Sequence, residues 1–457
     1  MRSFVAHTRK LAAETPATRN RIIDFWRVVA IIVVILGHWL AAGIWVQRTG
    51  DVELMNAVQL LPFSAWVTWL VQVMPIFFFV GGYANARALR RVEAGEQRPS
   101  DWITARIRRL YTPVVPLIAV WTLLVIVMRP LFPPDIVQEA SRAGTVLLWF
   151  MAVYLVLVGT APLTHRWWQR YRWGSVAALA GAALIVDVTR FAGDQPGFGW
   201  ANFLFVWATI HQLGYWWAAR DSSGKPVPHR VGWVVMTVAI AALVVVTSVG
   251  WYPVAMVGVT GDELTNMDPP TFAMVLLGAA QAGLIWGTQG RVAALVSRAR
   301  VWHAVVALSS VIMTLYLWHL SALAIVGATG LFAFDGAPFR FEPGTTAWWL
   351  TRPLWVIVLT TATALLVALF ARFEWRINPT ARPARKGIVV VALLLCAGAA
   401  GVTAELGLVE SDASINWLIP IAAFSGALLI GAYPKRRPGH KGSVRGPGTA
   451  SRLRSTI

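Results

Sequence analysis

The stretch that decides the fold is residues 21–41, which read RIIDFWRVVAIIVVILGHWLA. This apolar run is long enough for a helix to cross the hydrocarbon core of a bilayer. Arg27 and His38 are eleven residues apart, about three helical turns, so they project from one face roughly 16 Å apart along the axis. Ionisable side chains inside a membrane helix are costly and are functional candidates by default. We therefore predict a membrane helix with a polar track that begins at one bilayer surface.

The composition of the whole chain indicates a polytopic membrane protein. Hydrophobic residues make up 57% of the 457 and charged residues only 13%, with a mean hydropathy of +0.60, values far from those of a soluble domain. The single cysteine, Cys396, excludes a disulfide framework within the chain. Apolar runs long enough to span a membrane predict an all-α bundle of about twelve transmembrane helices. They lie near 22–45, 66–86, 111–128, 144–164, 173–189, 199–219, 232–250, 271–289, 304–329, 347–371, 387–404 and 416–433.

The net charge of +19 is explained by membrane topology. Most Lys and Arg residues fall in alternate connections, beginning with the N-terminal segment, whereas most Asp and Glu residues fall in the others. This is the positive-inside pattern. We therefore expect both termini in the cytoplasm, a multi-pass protein of the cell (inner or plasma) membrane in contact with the lipid bilayer, and no nucleic-acid partner.

The predicted organisation has four parts. Residues 1–20 form a cytoplasmic N-terminal segment, and residues 21–380 form a transmembrane domain of ten helices. Residues 381–433 supply two additional transmembrane helices. Residues 434–457, rich in Gly, Pro, Arg and Ser, form a disordered basic cytoplasmic tail. The first span lacks the short core and small-residue exit of a cleavable signal, so we expect it to be retained.

Arg27 and His38 each have a structural and a functional interpretation. Asp24 lies three residues before Arg27, so the two side chains can pair near the cytoplasmic boundary, which would give Arg27 a structural role. His38 can be a core histidine bonded to a neighbouring helix, or a proton acceptor near neutral pH. The sequence leaves both interpretations open.

A group of cytoplasmic arginines follows the second span. Its members are Arg87, Arg90, Arg91, Arg106, Arg108 and Arg109. Arginine binds phosphate through paired hydrogen bonds, so a phosphate-rich donor such as coenzyme A is a fitting ligand. An ordinary positive-inside loop is the alternative interpretation.

Further polar residues stand in the later spans. The ninth predicted span contains Tyr316 and His319, and the tenth ends with Glu374 among arginines. The paired glycines at 81–82 allow another backbone or a ligand to approach closely. The sequence contains no Cys/His cluster of the kind that holds a metal, so no metal is expected.

These motifs, taken in order, resemble the acyltransferase-3 family of integral membrane O-acyltransferases. The family's Arg-x10-His motif is similar to Arg27 and His38, and its Tyr-x-x-His motif is similar to Tyr316 and His319. The resemblance covers residues 20–380. The Lys-poor, Ala-, Val-, Arg- and Trp-rich composition is typical of a high-GC genome, which favours an actinobacterial member.

Three further motifs of the family have counterparts here. Its second-span Phe-Phe-x-x-Ser-Gly-Phe stretch resembles residues 77–83, with a glycine in place of the serine, so no catalytic group is expected there. Its Arg-x-x-Arg motif is best matched by Arg106 and Arg109, and Arg87 and Arg90 are a second match. Its closing glutamate resembles Glu374.

The resemblance implies an O-acyltransferase that moves a short acyl group, acetyl or succinyl, from acyl-CoA to a sugar hydroxyl of a cell-envelope glycolipid or polysaccharide. Acyl-CoA, with acetyl-CoA as the expected donor, would bind from the cytoplasmic side through the Arg-x-x-Arg motifs, with Glu374 holding that cluster in place. His38 would be the general base, with Arg27 at the donor end of the same helix. Tyr316 and His319 would orient the acceptor or stabilise the oxyanion.

Two other classes of function compete with this one. Twelve spans and two buried polar positions also suit a transporter or flippase of a lipid-linked or small polar substrate, although no repeat relates the two halves of the sequence. A polytopic scaffold without activity would leave Arg27, His38 and Arg109 individually dispensable.

Overall fold

The fold is a bundle of long helices with one short hairpin, as seen in a computed structural model. It describes residues 2–16, 19–60, 63–193, 196–258, 264–375, 385–410, 412 and 414–432. The hairpin pairs β1 (Ala42–Val46) with β2 (Val52–Asn56) in antiparallel register. The helices are α1 (Arg2–Ala13), α2 (Arg21–Ala41), α3 (Ala57–Leu60), α4 (Ser64–Val71), α5 (Met74–Glu93), α6 (Pro99–Tyr111), α7 (Val114–Met128), α8 (Pro134–Thr145), α9 (Leu148–Tyr171), α10 (Trp173–Ala192), α11 (Asn202–Ser222), α12 (His229–Ser248), α13 (Phe272–Val296), α14 (Ala299–Ser309), α15 (Ile312–Phe332), α16 (Thr346–Trp375), α17 (Lys386–Leu406) and α18 (Leu418–Leu429).

The predicted class, an all-α polytopic bundle, is confirmed. In the described part of the chain, ten helical segments are long and apolar enough to cross a membrane, two of them formed by the pairs α4–α5 and α6–α7. The sequence predicted about twelve. The other two predicted spans are also helices. Helix α11 is long enough but less apolar than the ten, and α18 has only 12 residues.

Helix α11 is polar because it lies inside the bundle. Thirteen of its residues are buried, including His211 and Gln212. Asn202, at its start, donates a hydrogen bond to Asp187 at 2.7 Å, so the polar atoms find protein partners away from lipid. Hydropathy alone therefore does not identify α11 as a membrane helix.

Paired glycines let α5 and α11 touch backbone to backbone. An added Cβ at Gly82 would collide with the carbonyl of His211, and one at Gly214 would collide with the carbonyl of Phe79. Small residues at such crossings bring membrane helices into close contact. The close approach expected from the glycine pair is thus present.

The two ends of the bundle are distinguished by what meets there. At one end, which we call the basic end, Asn20 donates to Tyr83, which in turn donates to Asp221. The opposite end, called the hairpin end, carries the hairpin, where Gly43 lies against Pro343. Alternate connections therefore meet at the same end, as helices that cross repeatedly require.

The arginine-rich segment after the second span is part of a helix rather than a loop. Helix α6 leads directly into α7, with Pro113 at the junction. Proline is tolerated there because the first positions of a helix need no N–H. The helix fixes Arg106 and Arg109 on nearly one face, three residues apart.

Helices α17 and α18 pack against the rest of the bundle. Arg108 donates through Nε to the carbonyl of Ile430 at 2.7 Å, and Cys396 contacts Gly426 between the two helices. The predicted boundary at residue 380 and the predicted tail 434–457 lie outside the described residues.

Candidate active site

Two histidines that are far apart in sequence meet inside the bundle. His38 is on α2 and His319 on α15, and Nε2 of His319 lies 3.2 Å from Nδ1 of His38. Their ring centroids are 5.2 Å apart. His319 is fully buried, whereas His38 keeps accessible surface on the wall of a cavity.

Backbone carbonyls fix which ring nitrogens carry hydrogen when both rings are neutral. Nδ1 of His319 lies 2.8 Å from the carbonyl oxygen of Tyr316, and a carbonyl can only accept, so this nitrogen is the donor. Nε2 of His319 then has a lone pair and accepts from Nδ1–H of His38. The backbone carbonyl of Val34 also interacts with the His38 ring and, as a carbonyl, can only accept. With its hydrogen on Nδ1, His38 keeps the lone pair of Nε2 for a proton.

The histidine pair is supported by tryptophans from two helices. Trp39 donates through Nε1 to the carbonyl of His319 at 3.3 Å, and Trp355 donates to the carbonyl of Trp39 at 3.0 Å. Both indoles are buried, where such bonds hold their geometry. They join α2, α15 and α16 at the level of the two rings.

Tyr316 lines the same cavity, but its hydroxyl is already engaged. The buried Oη donates to the carbonyl of Leu147 at 2.7 Å. This bond ties α15 to the turn between α8 and α9. In this arrangement the tyrosine positions the cavity wall and has no hydrogen left to offer an oxyanion.

A cavity of about 530 Å³ connects the histidine pair to the hairpin end. It is lined mainly by apolar and aromatic side chains, with Trp149 and Trp200 among them. Polar side chains also line it, among them Asn56, Arg142, Asp268 and Glu405. A mostly apolar cavity with a few polar groups is typical of a small-molecule site.

Arg27 of the first predicted span and two arginines that precede the third come together toward the basic end. Arg27 interacts electrostatically with Arg106 and with Arg109. Arg106 also stacks over Trp102, 5.4 Å from the ring centroid. Three guanidinium groups in one neighbourhood repel each other unless an anion lies between them, so the cluster suits a multiply charged anionic ligand.

Asp24 pairs with Arg19 and not with Arg27. The Arg19 Nε–Asp24 Oδ2 distance is 2.6 Å, and this hydrogen bond raises the pKa of Arg19. The pairing of Asp24 with Arg27 considered from their three-residue spacing is therefore wrong. The segment before α2 bends Arg19 back toward the helix, which a local spacing rule does not capture.

Glu374 binds the helix that carries Tyr316 and His319. Its carboxylate accepts from the backbone N–H of Thr314 at 3.0 Å, from the hydroxyl of Thr314 at 2.7 Å and from the N–H of Met313 at 3.3 Å. A carboxylate at a helix N-terminus satisfies unpaired N–H groups and the helix dipole. Glu374 also interacts electrostatically with Arg109, the group it was expected to hold.

Arg87 and Arg90 point to other helices. Arg87 donates to the hydroxyl of Ser222 at 2.9 Å, at the end of α11. Arg90 acts electrostatically on His165, whose Nδ1 lies 2.8 Å from Glu93. The interactions thus bring Arg27, Arg106 and Arg109 together and leave this second pair beside α9 and α11.

Several residues of the site carry no signal in the sequence. Arg142 of α8, Glu405 near the end of α17 and Asp268 in the connection before α13 line the cavity at the hairpin end. Charged side chains are expected there for solubility alone. Among the described residues, no group of three or more His, Cys, Asp or Glu side chains could hold a metal ion.

The fold and the site define a class: a polytopic membrane protein with a histidine pair on a mostly apolar cavity and an arginine cluster toward its basic end. A family model described as "Acyltransferase domain", that of acyltransferase-3, matches residues 20–372. The chain belongs to this family and is a membrane-bound O-acyltransferase. No curated protein and no solved structure matches it.

Proposed function

We propose that the protein transfers a short acyl group, acetyl or succinyl, from acyl-CoA to a sugar hydroxyl of an envelope glycolipid or polysaccharide, with His38 as the general base. One observation carries the proposal. His38 lies on the wall of a cavity that reaches the hairpin end, and its Nε2 is the free nitrogen of the histidine pair. A base with this exposure can take a proton from a hydroxyl that enters from the hairpin end.

The donor is proposed to reach the same point from the basic end. Arg27, Arg106 and Arg109 supply positive charge for the phosphates of coenzyme A. Arg27 and His38 are about 16 Å apart along α2, a distance that the extended pantetheine arm spans. Acyl-CoA bound in this way brings its thioester to the histidine pair.

The reaction is an addition followed by an elimination. Nε2 of His38 takes the proton of the acceptor hydroxyl while the oxygen attacks the thioester carbonyl. The C–S bond then breaks, and the thiolate receives the proton from the His38 imidazolium. The products are the acylated sugar and coenzyme A with a free thiol, so atoms and charges balance.

His319 and Tyr316 act through position in this mechanism. His319 accepts the Nδ1–H of His38 and so keeps the opposite nitrogen directed at the acceptor. Its own Nδ1–H is bonded to the backbone, so a neutral His319 has no hydrogen for an oxyanion. The hydrogen bonds of His319 therefore support a role in orienting His38, the base.

The test is acyl transfer in proteoliposomes, with acetyl-CoA or succinyl-CoA outside and envelope glycolipid extract as acceptor. His38→Ala should abolish the acyl mass increment on the acceptor and the acceptor-dependent release of thiol. His229→Ala is the matched control, since His229 is exposed at the start of α12. Acyl transfer by His38→Ala at the wild-type rate would refute the base. Passage of unmodified acceptor across the membrane with no thiol release would favour the transporter alternative.

A further inference from the structure

A second pocket adjoins the cavity at the hairpin end. It encloses about 340 Å³ between α8 and the segment that joins α17 to α18. Arg142 and Glu405 belong to the walls of both spaces. The other polar side chains of this pocket include Glu139, Glu410 and Asn416. We call it the polar pocket.

Two thirds of the residues that line the polar pocket lie beyond the family match. The match ends at residue 372, whereas Glu410 and Asn416 follow α17. Helix α17 also supplies Gly401 and Ala404 to the wall of the cavity that holds His38. Helix α17 and the segment after it therefore complete the space that leads to the base.

The two sides of the polar pocket are held in a fixed relation. The backbone N–H of Leu408 donates to Ser141 Oγ at 2.8 Å, and the hydroxyl of Thr145 donates to the carbonyl of Thr403 at 3.3 Å. Gly407 has φ +75°, and a Cβ there would lie 3.3 Å from the backbone nitrogen of Arg142. Only glycine adopts that conformation easily at such a close approach.

The charges of the polar pocket disfavour an anionic ligand. Glu139, Glu405 and Glu410 oppose a single guanidinium, that of Arg142. The excess of carboxylate repels a phosphate or another anion. Carboxylate and amide oxygens accept hydrogen bonds from hydroxyl groups, and Arg142 and the Asn416 amide can donate to them. This combination suits a neutral ligand rich in hydroxyl groups.

The polar pocket is close to the reaction centre but separate from it. Arg142 and Glu405 line both the polar pocket and the cavity that His38 lines, whereas His38 does not line the polar pocket. A sugar whose hydroxyl meets His38 occupies the first cavity. A sugar unit in the polar pocket would then be linked directly to the unit whose hydroxyl meets His38.

We propose that the polar pocket binds a second, neutral sugar unit of the acceptor, adjacent to the unit that is acylated. This inference rests on the proposed function for the identity of the first unit. It gives the acceptor class as a saccharide of at least two units, and it gives α17 and the segment after it a role in selecting that acceptor.

The test is a binding measurement that needs no acyl donor. The full chain in nanodiscs is titrated, by tryptophan fluorescence, with hexyl β-glucoside, hexyl β-maltoside, hexyl β-cellobioside and hexyl phosphate. At least one disaccharide should bind about tenfold more tightly than the glucoside, since two or so additional hydrogen bonds are formed. Hexyl phosphate should bind no more tightly than the glucoside.

Variants assign that preference to the polar pocket. Glu410→Gln and Asn416→Ala should each reduce the preference for the disaccharide several-fold and leave glucoside binding unchanged, which also shows that the variants fold. Glu342→Gln, an exposed carboxylate elsewhere at the hairpin end, should keep the full preference. Equal binding of mono- and disaccharides by the wild type, or an unchanged preference in both pocket variants, would overturn the proposal.

The same measurement separates this proposal from the proposed function. His38→Ala should retain the disaccharide preference, because binding in the polar pocket requires no base. If acyl transfer proves independent of His38 while the preference is present and depends on Glu410, the general-base mechanism fails and the second sugar site stands. If transfer depends on His38 but the preference is absent, the second sugar site fails alone.

Discussion

Replacement of His319 by alanine removes the side chain that accepts from Nδ1 of His38 at 3.2 Å. A buried donor left without its partner costs about 1–3 kcal/mol. If that free energy is lost from the orientation of the base in the transition state, the rate falls by about 5- to 150-fold. His319→Gln places an amide oxygen near the lost nitrogen and should recover part of this rate.

The assay is acyl transfer in proteoliposomes with kcat and both KM values determined separately. Because His319 touches neither substrate in the proposed mechanism, kcat should fall while the KM for acyl-CoA stays within about twofold of the wild-type value. Wild-type kcat in His319→Ala would refute the argument. So would a glutamine variant no faster than the alanine variant, because the lost hydrogen bond would then not be the cause.

Three further outcomes follow from particular contacts. Gly82→Ala should reduce the yield of monodisperse protein in size-exclusion chromatography, because the added methyl group meets a backbone carbonyl of α11. Such overpacking costs at least about 1–3 kcal/mol. The control Gly181→Ala should express normally, because an added methyl group there has nothing within 4 Å. Arg109→Lys should raise the KM for acyl-CoA about tenfold, because lysine cannot form the paired hydrogen bonds of arginine. The control Arg291→Lys, at an exposed position, should leave this KM unchanged. A wild-type KM in Arg109→Lys would exclude Arg109 from the donor site. Glu374→Ala should lower the thermal midpoint, since a lost helix cap costs about 0.5–2 kcal/mol, and an unchanged midpoint in a detergent melt would contradict that role.

Local periodicity explains how the sequence anticipates the scaffold. The unbroken apolar run from residue 28 to residue 37 requires a helix in lipid, because only a helix satisfies every backbone group within one segment. The helical period then puts Arg27 and His38 on one face. Such arguments use residues that are close in the chain, and α2 accordingly has the bounds 21–41.

Contacts between distant residues are what the sequence could not supply. His38 and His319 are separated by 281 positions, and nothing within either helix states which other helix it will face. The partner of Asp24 was missed for a related reason, since Arg19 lies before the helix, where helical spacing does not apply. The contribution of Glu405 depends on how α17 packs, which its uniform apolar surface does not specify.

The histidine pair gives the proposed reaction a base without a counter-ion. In a Ser-His-Asp arrangement, a carboxylate stabilises the imidazolium that forms; here the neighbour of His38 is a neutral ring. When His38 takes the proton, its bond to His319 becomes charge-assisted and strengthens roughly twofold, but no carboxylate in the described part of the chain is hydrogen-bonded to either ring. The His38 imidazolium therefore gives up its proton readily, and the departing thiolate is the group that accepts it. Because residue 319 is a histidine and not an acid, transfer of the proton from His38 to the thiolate is coupled to the departure of coenzyme A.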